Sequence, residues 1–188
     1  MRKLTILVDM DNTIENLTEV WVKYLNEKYG TEVDCNKLRV YSMTDSFPTL
    51  TSEEVYGVLS EQELWNRVCP IEFASECLKR LIDAGHEVYI VTATDYRIMQ
   101  MKMDTVLFKY FPFLSWDNVI ITSQKYLING DVIVDDCVQY IEKFDGVKIL
   151  VDMPYNHCYD DLEHGVFRCH DWKDIESIIN CIALGGST

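Results

Sequence analysis

The chain has 188 residues, 48% of them hydrophobic and 12% aromatic, which is enough to bury a real core and excludes wholesale disorder. Against 17 Lys and Arg stand 31 Asp and Glu, a formal charge of −14 that argues against coating a phosphate backbone and so against a nucleic-acid polymer as partner. A small phosphorylated substrate stays open, because one divalent cation reverses the field inside a single cleft.

No apolar stretch nears the ~20 residues of a membrane span, and the first apolar run stops at Asp9, too early for a signal peptide. A cytoplasmic protein without a membrane partner is therefore expected. The 7 cysteines contain no C-x-x-C pair, and the odd count points to reduced thiols. His157, Cys158, His164, Cys169 and His170 stand close together, but their spacing fits no usual zinc pattern.

Short runs rich in Ile, Val and Leu at 4–8, 87–91, 119–121, 132–134 and 148–151 have the character of strands buried on both faces. The stretch 15–68, after the first of them, breaks the alternation and offers helical patterns only. Leu17, Val20, Trp21, Tyr24 and Leu25 fall at helical spacing, and Thr51 with Glu54 and Ser60 with Glu63 have capping-box form. Two or three helices are expected there, with 41–50 as the joining loop. Further on, 72–84 places Phe73, Cys77, Leu78 and Leu81 on one stripe, with Gly85 as a stop. A helix over 96–111 should end at Pro112, and 138–144 and 172–183 supply two more. The pattern predicts an α/β fold: a Rossmann-like parallel sheet flanked by helices, formed by 1–14 and 69–188, with 15–68 inserted after the first strand.

In such a sheet the ligand crevice lies beyond the carboxyl ends of the strands. Four predicted ends carry polar groups: Asp9 to Thr13, Thr92 to Asp95, Ser123 to Lys125, and Asp135 with Asp136. Acidic ends brought together in space repel unless a cation lies between them, and hard carboxylate oxygens select Mg²⁺. Asp9 is then the candidate nucleophile toward phosphorus, and Asp11 the acid and base. Thr92, the amides after it, including that of Ala93, and Lys125 suit the transferred phosphoryl group. Asp136 either caps the helix that follows or supports the metal site. Trp21 and Tyr24 read as core, whereas Tyr41 and Phe47, placed in a loop, are the candidate contacts for a nucleobase. Arg97 reads either as a phosphate contact or as a surface residue.

This order of signals resembles the haloacid dehalogenase superfamily, whose four motifs match Asp9 with Asp11, Thr92, Lys125, and Asp135 with Asp136. The D-M-D opening, the insertion directly after it, the short Lys125 to Asp135 spacing and the turn at 153–156 resemble the 5′-nucleotidase group that includes the 5′(3′)-deoxyribonucleotidases. The resemblance covers nearly the whole chain. It implies a small helical cap at 15–68 and dephosphorylation of nucleoside monophosphates, especially pyrimidine deoxyribonucleotides. It also implies Mg²⁺ as cofactor, held by Asp9, the Asp11 carbonyl and Asp135.

The chain departs from that group at Asn12 and Thr13, where G-V is common, and at Ala93 and Thr94, where S-P is common. Ala93 lacks the hydroxyl that would face phosphate. The competing readings are a phosphatase for a sugar phosphate or other small metabolite, and a catalytically idle nucleotide-binding module. Dehalogenation needs no metal and no second acid, which Asp11, Asp135 and Asp136 supply. The expected partner is a small nucleotide, and a homodimer is compatible with the sequence.

Overall fold

Ile6 and Val8 are wholly buried, because their strand is central, with parallel neighbours on both sides, and their side chains enter the apolar core on one face of the sheet. A computed structural model describes residues 1–185, so the last three residues of the 69–188 segment lie outside the described residues. Its strands are β1 (Thr5–Val8), β2 (Glu87–Thr92), β3 (Val119–Ile121), β4 (Val132–Asp135), β5 (Val147–Val151) and β6 (Val166–Cys169). They form one parallel sheet in the order β3-β2-β1-β4-β5-β6. That order reverses between β1 and β4, the switch point where doubly wound sheets open a crevice. The first five strands lie where the apolar runs predict them. β6 is additional, an edge strand carrying Arg168 and too polar to announce itself as a buried run.

Between β1 and β2 the chain forms α1 (Leu17–Tyr29), α2 (Met43–Ser46), α3 (Ser52–Gly57) and α4 (Gln62–Trp65). Leu17, Val20, Trp21, Tyr24 and Leu25 are buried on one face of α1, as their spacing requires. The Thr51 and Glu54 capping box forms. The Ser60 and Glu63 box does not, because Ser60 closes a tight turn over Val58–Ser60 and α4 begins beyond Glu61. The expected loop at 41–50 contains α2.

The remaining helices are α5 (Ala74–Asp83), α6 (Met99–Lys102), α7 (Phe108–Tyr110), α8 (Val138–Glu142) and α9 (Trp172–Ala183). Gly85, at φ +95°, ends α5 in the left-handed conformation that glycine adopts without penalty. The helix expected over 96–111 starts late, because the Asp95 side chain accepts from the Arg97 amide and holds a turn there. One wide π turn over Met103–Leu107 separates α6 from α7. Such turns are rare and cluster at functional sites, and this one directly follows Lys102.

Two layers of apolar side chains sandwich the sheet. Ile6, Val8, Ile90, Val132 and Val134 face the larger cluster, with α1, α5 and α9, while Leu7, Val91, Ile133 and Leu150 face the smaller one, with Ile141 of α8. Among the described residues no helix is long and apolar enough to cross a membrane. All 7 cysteines are free thiols.

Candidate active site

Register alone brings the first and fourth signals together. Val8 of β1 pairs with Val134 of β4, so Asp9 and Asp135 leave adjacent strands side by side, and the Asp9 amide donates to the Val134 carbonyl at 2.8 Å. Lys125, on a short turn after β3, places its ammonium between them, 2.5 Å from Asp9 Oδ1 and 2.7 Å from Asp135 Oδ2. The Tyr140 ring lies 4.5 Å from the same ammonium. Thr92 ends β2, fully buried, with exposed Ala93 directly after it. The structure therefore gathers Asp9, Asp11, Thr92, Lys125, Asp135 and Asp136 at one crevice.

Asp9, Asp135 and Asp136 each offer a carboxylate oxygen within 4.8 Å of the others, and all three residues are buried. Among the described residues this is the one such group of His, Cys, Asp or Glu. Burial first, opposed by Lys125 and helped by Asp135, raises the Asp9 carboxyl to about 7. Burial and then Asp135 raise Asp136 well above the usual carboxylate range. Two buried acids thus share one ammonium, and a third stands beside them without one. That excess negative charge and those hard oxygen donors fit a divalent cation. The histidines near Cys158 do not form a comparable ligand set: His157 and His170 each approach only Asp152, at 3.2 Å.

Asp136 is no helix cap. The Cys137 amide goes to Asp135 Oδ1 at 2.9 Å, while Asp136 accepts from the Tyr155 hydroxyl and from Asn12 Nδ2. Phe47 is fully buried as part of the larger apolar core, so it is not a base contact. Tyr41, 55% exposed, does stand at the opening, edge-on to Tyr155 with ring centres 5.6 Å apart. An open cleft runs from Asp11 past Trp21, Tyr41, Tyr56 and Tyr155. Trp21 serves both ends, because its ring borders the cleft while its Nε1 donates to the Val55 carbonyl at 2.9 Å. Arg97 is exposed and paired with Asp95.

Two site residues escape sequence reasoning. Lys102 is buried, with its ammonium 2.5 Å from Asp11 Oδ1, 3.0 Å from Thr92 Oγ1 and 2.9 Å from Thr94 Oγ1. A lysine in a helical pattern reads as solvated, and nothing in its spacing signals that it turns inward. Burial works against an ionised Asp11, but Lys102 outweighs it and holds the Asp11 carboxyl below its ordinary value.

Glu15 is the second. It is fully buried, and no N–H or hydroxyl reaches either oxygen. Burial, then the Asp11 charge, pushes it well above the usual range and so favours its protonated form beside Asp11. A group raised in this way contributes stability below its unfolded pKa of 4.5 and loses it as pH rises toward the folded value. Glu15→Gln keeps the shape and the donor without that loss. In metal-free buffer it should match the wild type near pH 4 and exceed its Tm by about 2–4 °C at pH 8, as about 1 kcal/mol gives for a chain of this size. Parallel Tm profiles from pH 4 to 8 would contradict the protonated Glu15.

The strand order, with acidic residues at its reversal and helices inserted after β1, defines a haloacid dehalogenase-like fold. A haloacid dehalogenase-like hydrolase from Streptococcus pneumoniae superposes with a TM-score of 0.66 over 94% of this chain and 98% of its own, at 13% identity. A second such hydrolase, from Deinococcus radiodurans R1 and solved with bound phosphate and sodium, gives 0.60 over 95% of each chain at 14% identity. The profile of the family described as 5′ nucleotidase, deoxy (pyrimidine), cytosolic type C protein matches residues 2–184, and the chain belongs to that family. A 5′(3′)-deoxyribonucleotidase from Bacillus subtilis is 32% identical over 93% of this chain and 97% of its own. One from Clostridium acetobutylicum is 29% identical over 95% and 96%.

Proposed function

We propose that the protein is a Mg²⁺-dependent phosphatase of nucleoside 5′-monophosphates, chiefly pyrimidine deoxyribonucleotides, working through an aspartyl-phosphate on Asp9. The observation that carries this reading is the Lys125 ammonium seated between Asp9 and Asp135, with Asp136 in reach, and with Asp11 and Asn12 lining a cleft that aromatic rings wall. Family membership and the two deoxyribonucleotidase relatives support it.

Mg²⁺ held by Asp9, Asp135 and the Asp11 carbonyl, with Asp136 beside them, would supply charge neutralisation for the phosphoryl oxygens. The Lys125 ammonium, the Thr92 hydroxyl and the Ala93 amide bind those oxygens. The Asp9 carboxylate attacks phosphorus in line, the bond to the 5′-oxygen breaks, and that oxygen takes a proton from Asp11. Because Lys102 holds resting Asp11 ionised, Asp11 first takes up the proton it donates from the neighbouring Glu15 carboxyl, and returns one to Glu15 after the hydrolysis step. Water then attacks the aspartyl-phosphate, with Asp11 accepting its proton, and Asp9 is regenerated with release of phosphate. The segment 15–68 acts as a cap that excludes bulk water, and Tyr41 packs against the base.

Phosphate release from dUMP and dTMP should fall at least about 100-fold on chelation and return with Mg²⁺, the effect of losing several kcal/mol of charge stabilisation. Higher kcat/KM for sugar phosphates across a broad phosphoester panel would replace the nucleotide reading. No turnover of any phosphoester would leave the idle binding module.

A further inference from the structure

Asn12 follows Asp11 directly and takes the left-handed backbone conformation that glycine adopts freely, at φ +59°. The side chain is 7% exposed, and all its polar atoms are engaged. Its Oδ1 accepts from the Thr18 amide in the first turn of α1 at 2.8 Å. The residue before α1, Asn16, makes no side-chain cap, so Asn12 satisfies a donor the helix would otherwise leave open.

That bond decides the orientation of the amide. A backbone N–H can only donate, so the oxygen must face Thr18 and the NH₂ must face the acids. The NH₂ lies 3.2 Å from Asp136 Oδ2 and 3.2 Å from the Tyr155 hydroxyl, and the hydroxyl donates to the same carboxylate oxygen. Asp136 Oδ2 is therefore clamped by two donors, one of them locked by a helix terminus. Lys125, which bridges Asp9 and Asp135, makes no bond to Asp136.

We propose that Asn12 is a positioning residue, which uses its fixed amide to hold the Asp136 carboxylate toward the cation position shared with Asp9 and Asp135. Groups that orient a metal's carboxylates in this way change metal affinity when removed, typically by 10–100-fold. The inference rests on the proposed metal site but not on the nucleotide as substrate.

The test is calorimetric titration of the full chain with Mg²⁺ alone. Asn12→Gly deletes the clamp at a backbone angle glycine accepts freely, and it should bind Mg²⁺ about tenfold more weakly with the fold retained by circular dichroism. Because the effect runs through Asp136, the same change in an Asp136→Asn background should alter affinity less than about twofold. Unchanged affinity in Asn12→Gly beside a wild type that binds Mg²⁺ overturns the inference alone. An equal loss in the Asp136→Asn background also overturns it, as does a glycine variant without a folded transition, since the side chain is then merely structural. A wild type without Mg²⁺ affinity overturns the proposed metal site and this inference together.

Discussion

Asp9→Asn should lower kcat by about 10⁴-fold or more while the fold persists. The amide is nearly isosteric with the carboxylate but is a far weaker nucleophile toward phosphorus. Lys125 keeps a partner in Asp135 at 2.7 Å, so the substitution leaves no bare buried charge. Stability should move the other way. The folded Asp9 carboxyl lies at about 7 against 3.8 unfolded, so its contribution is present below 3.8 and lost as pH rises through 7. The asparagine variant lacks that loss and, in metal-free buffer at pH 8, should melt above the wild type. Retained turnover would remove Asp9 as nucleophile, and a lower Tm at pH 8 would contradict the crowded acid site.

Lys125→Met has the second large effect, and on both fold and activity. The ammonium is buried and is held charged: burial lowers its pKa, but Asp9 and Asp135 outweigh that and raise it. Methionine preserves the stem and leaves two facing carboxylates with no counter-ion. Breaking a buried pair from one side costs about 3–5 kcal/mol, readable as a lower denaturant midpoint in metal-free buffer. The lost stabilisation of the transferred phosphoryl group should lower kcat/KM a further 10²–10³-fold, roughly the effect of deleting one such donor. Asp9→Asn combined with Lys125→Met should be much less destabilised than the sum of the two single changes. Additive behaviour, or a Lys125→Met variant within about 1 kcal/mol of wild type, would show that the ammonium is not held between the acids.

Much of the fold was legible because its signals are local. β1 to β5 are runs of branched apolar residues, and parallel strands buried on both faces admit little else. α9 runs over Trp172–Ala183 as its apolar spacing predicts, started by Asp171, whose side chain accepts from two amides of the first turn. β6 and the π turn were not legible. An edge strand built around Arg168 owes its pairing to β5, and a one-residue change in helical pitch leaves no trace in periodicity.

The site divides along the same line. Acidic, hydroxyl and ammonium groups just after apolar runs were readable as a set, since a parallel sheet must deliver strand ends to one edge. The chain alone therefore specified the sheet, the inserted helical segment, and Asp9, Thr92, Lys125 and Asp135 as companions. It could not specify which way a side chain turns from an irregular segment or a helix. Tyr41 and Phe47 sit six residues apart in one predicted loop, yet α2 draws Phe47 into the core and leaves Tyr41 at the cleft. No local pattern marks Lys102 or Glu15, which packing encloses beside Asp11. Strand-end chemistry follows from local pattern and topology. Inward-turned charges are settled by neighbours distant in sequence, whose burial and opposite charge outweigh any preference the residue has on its own.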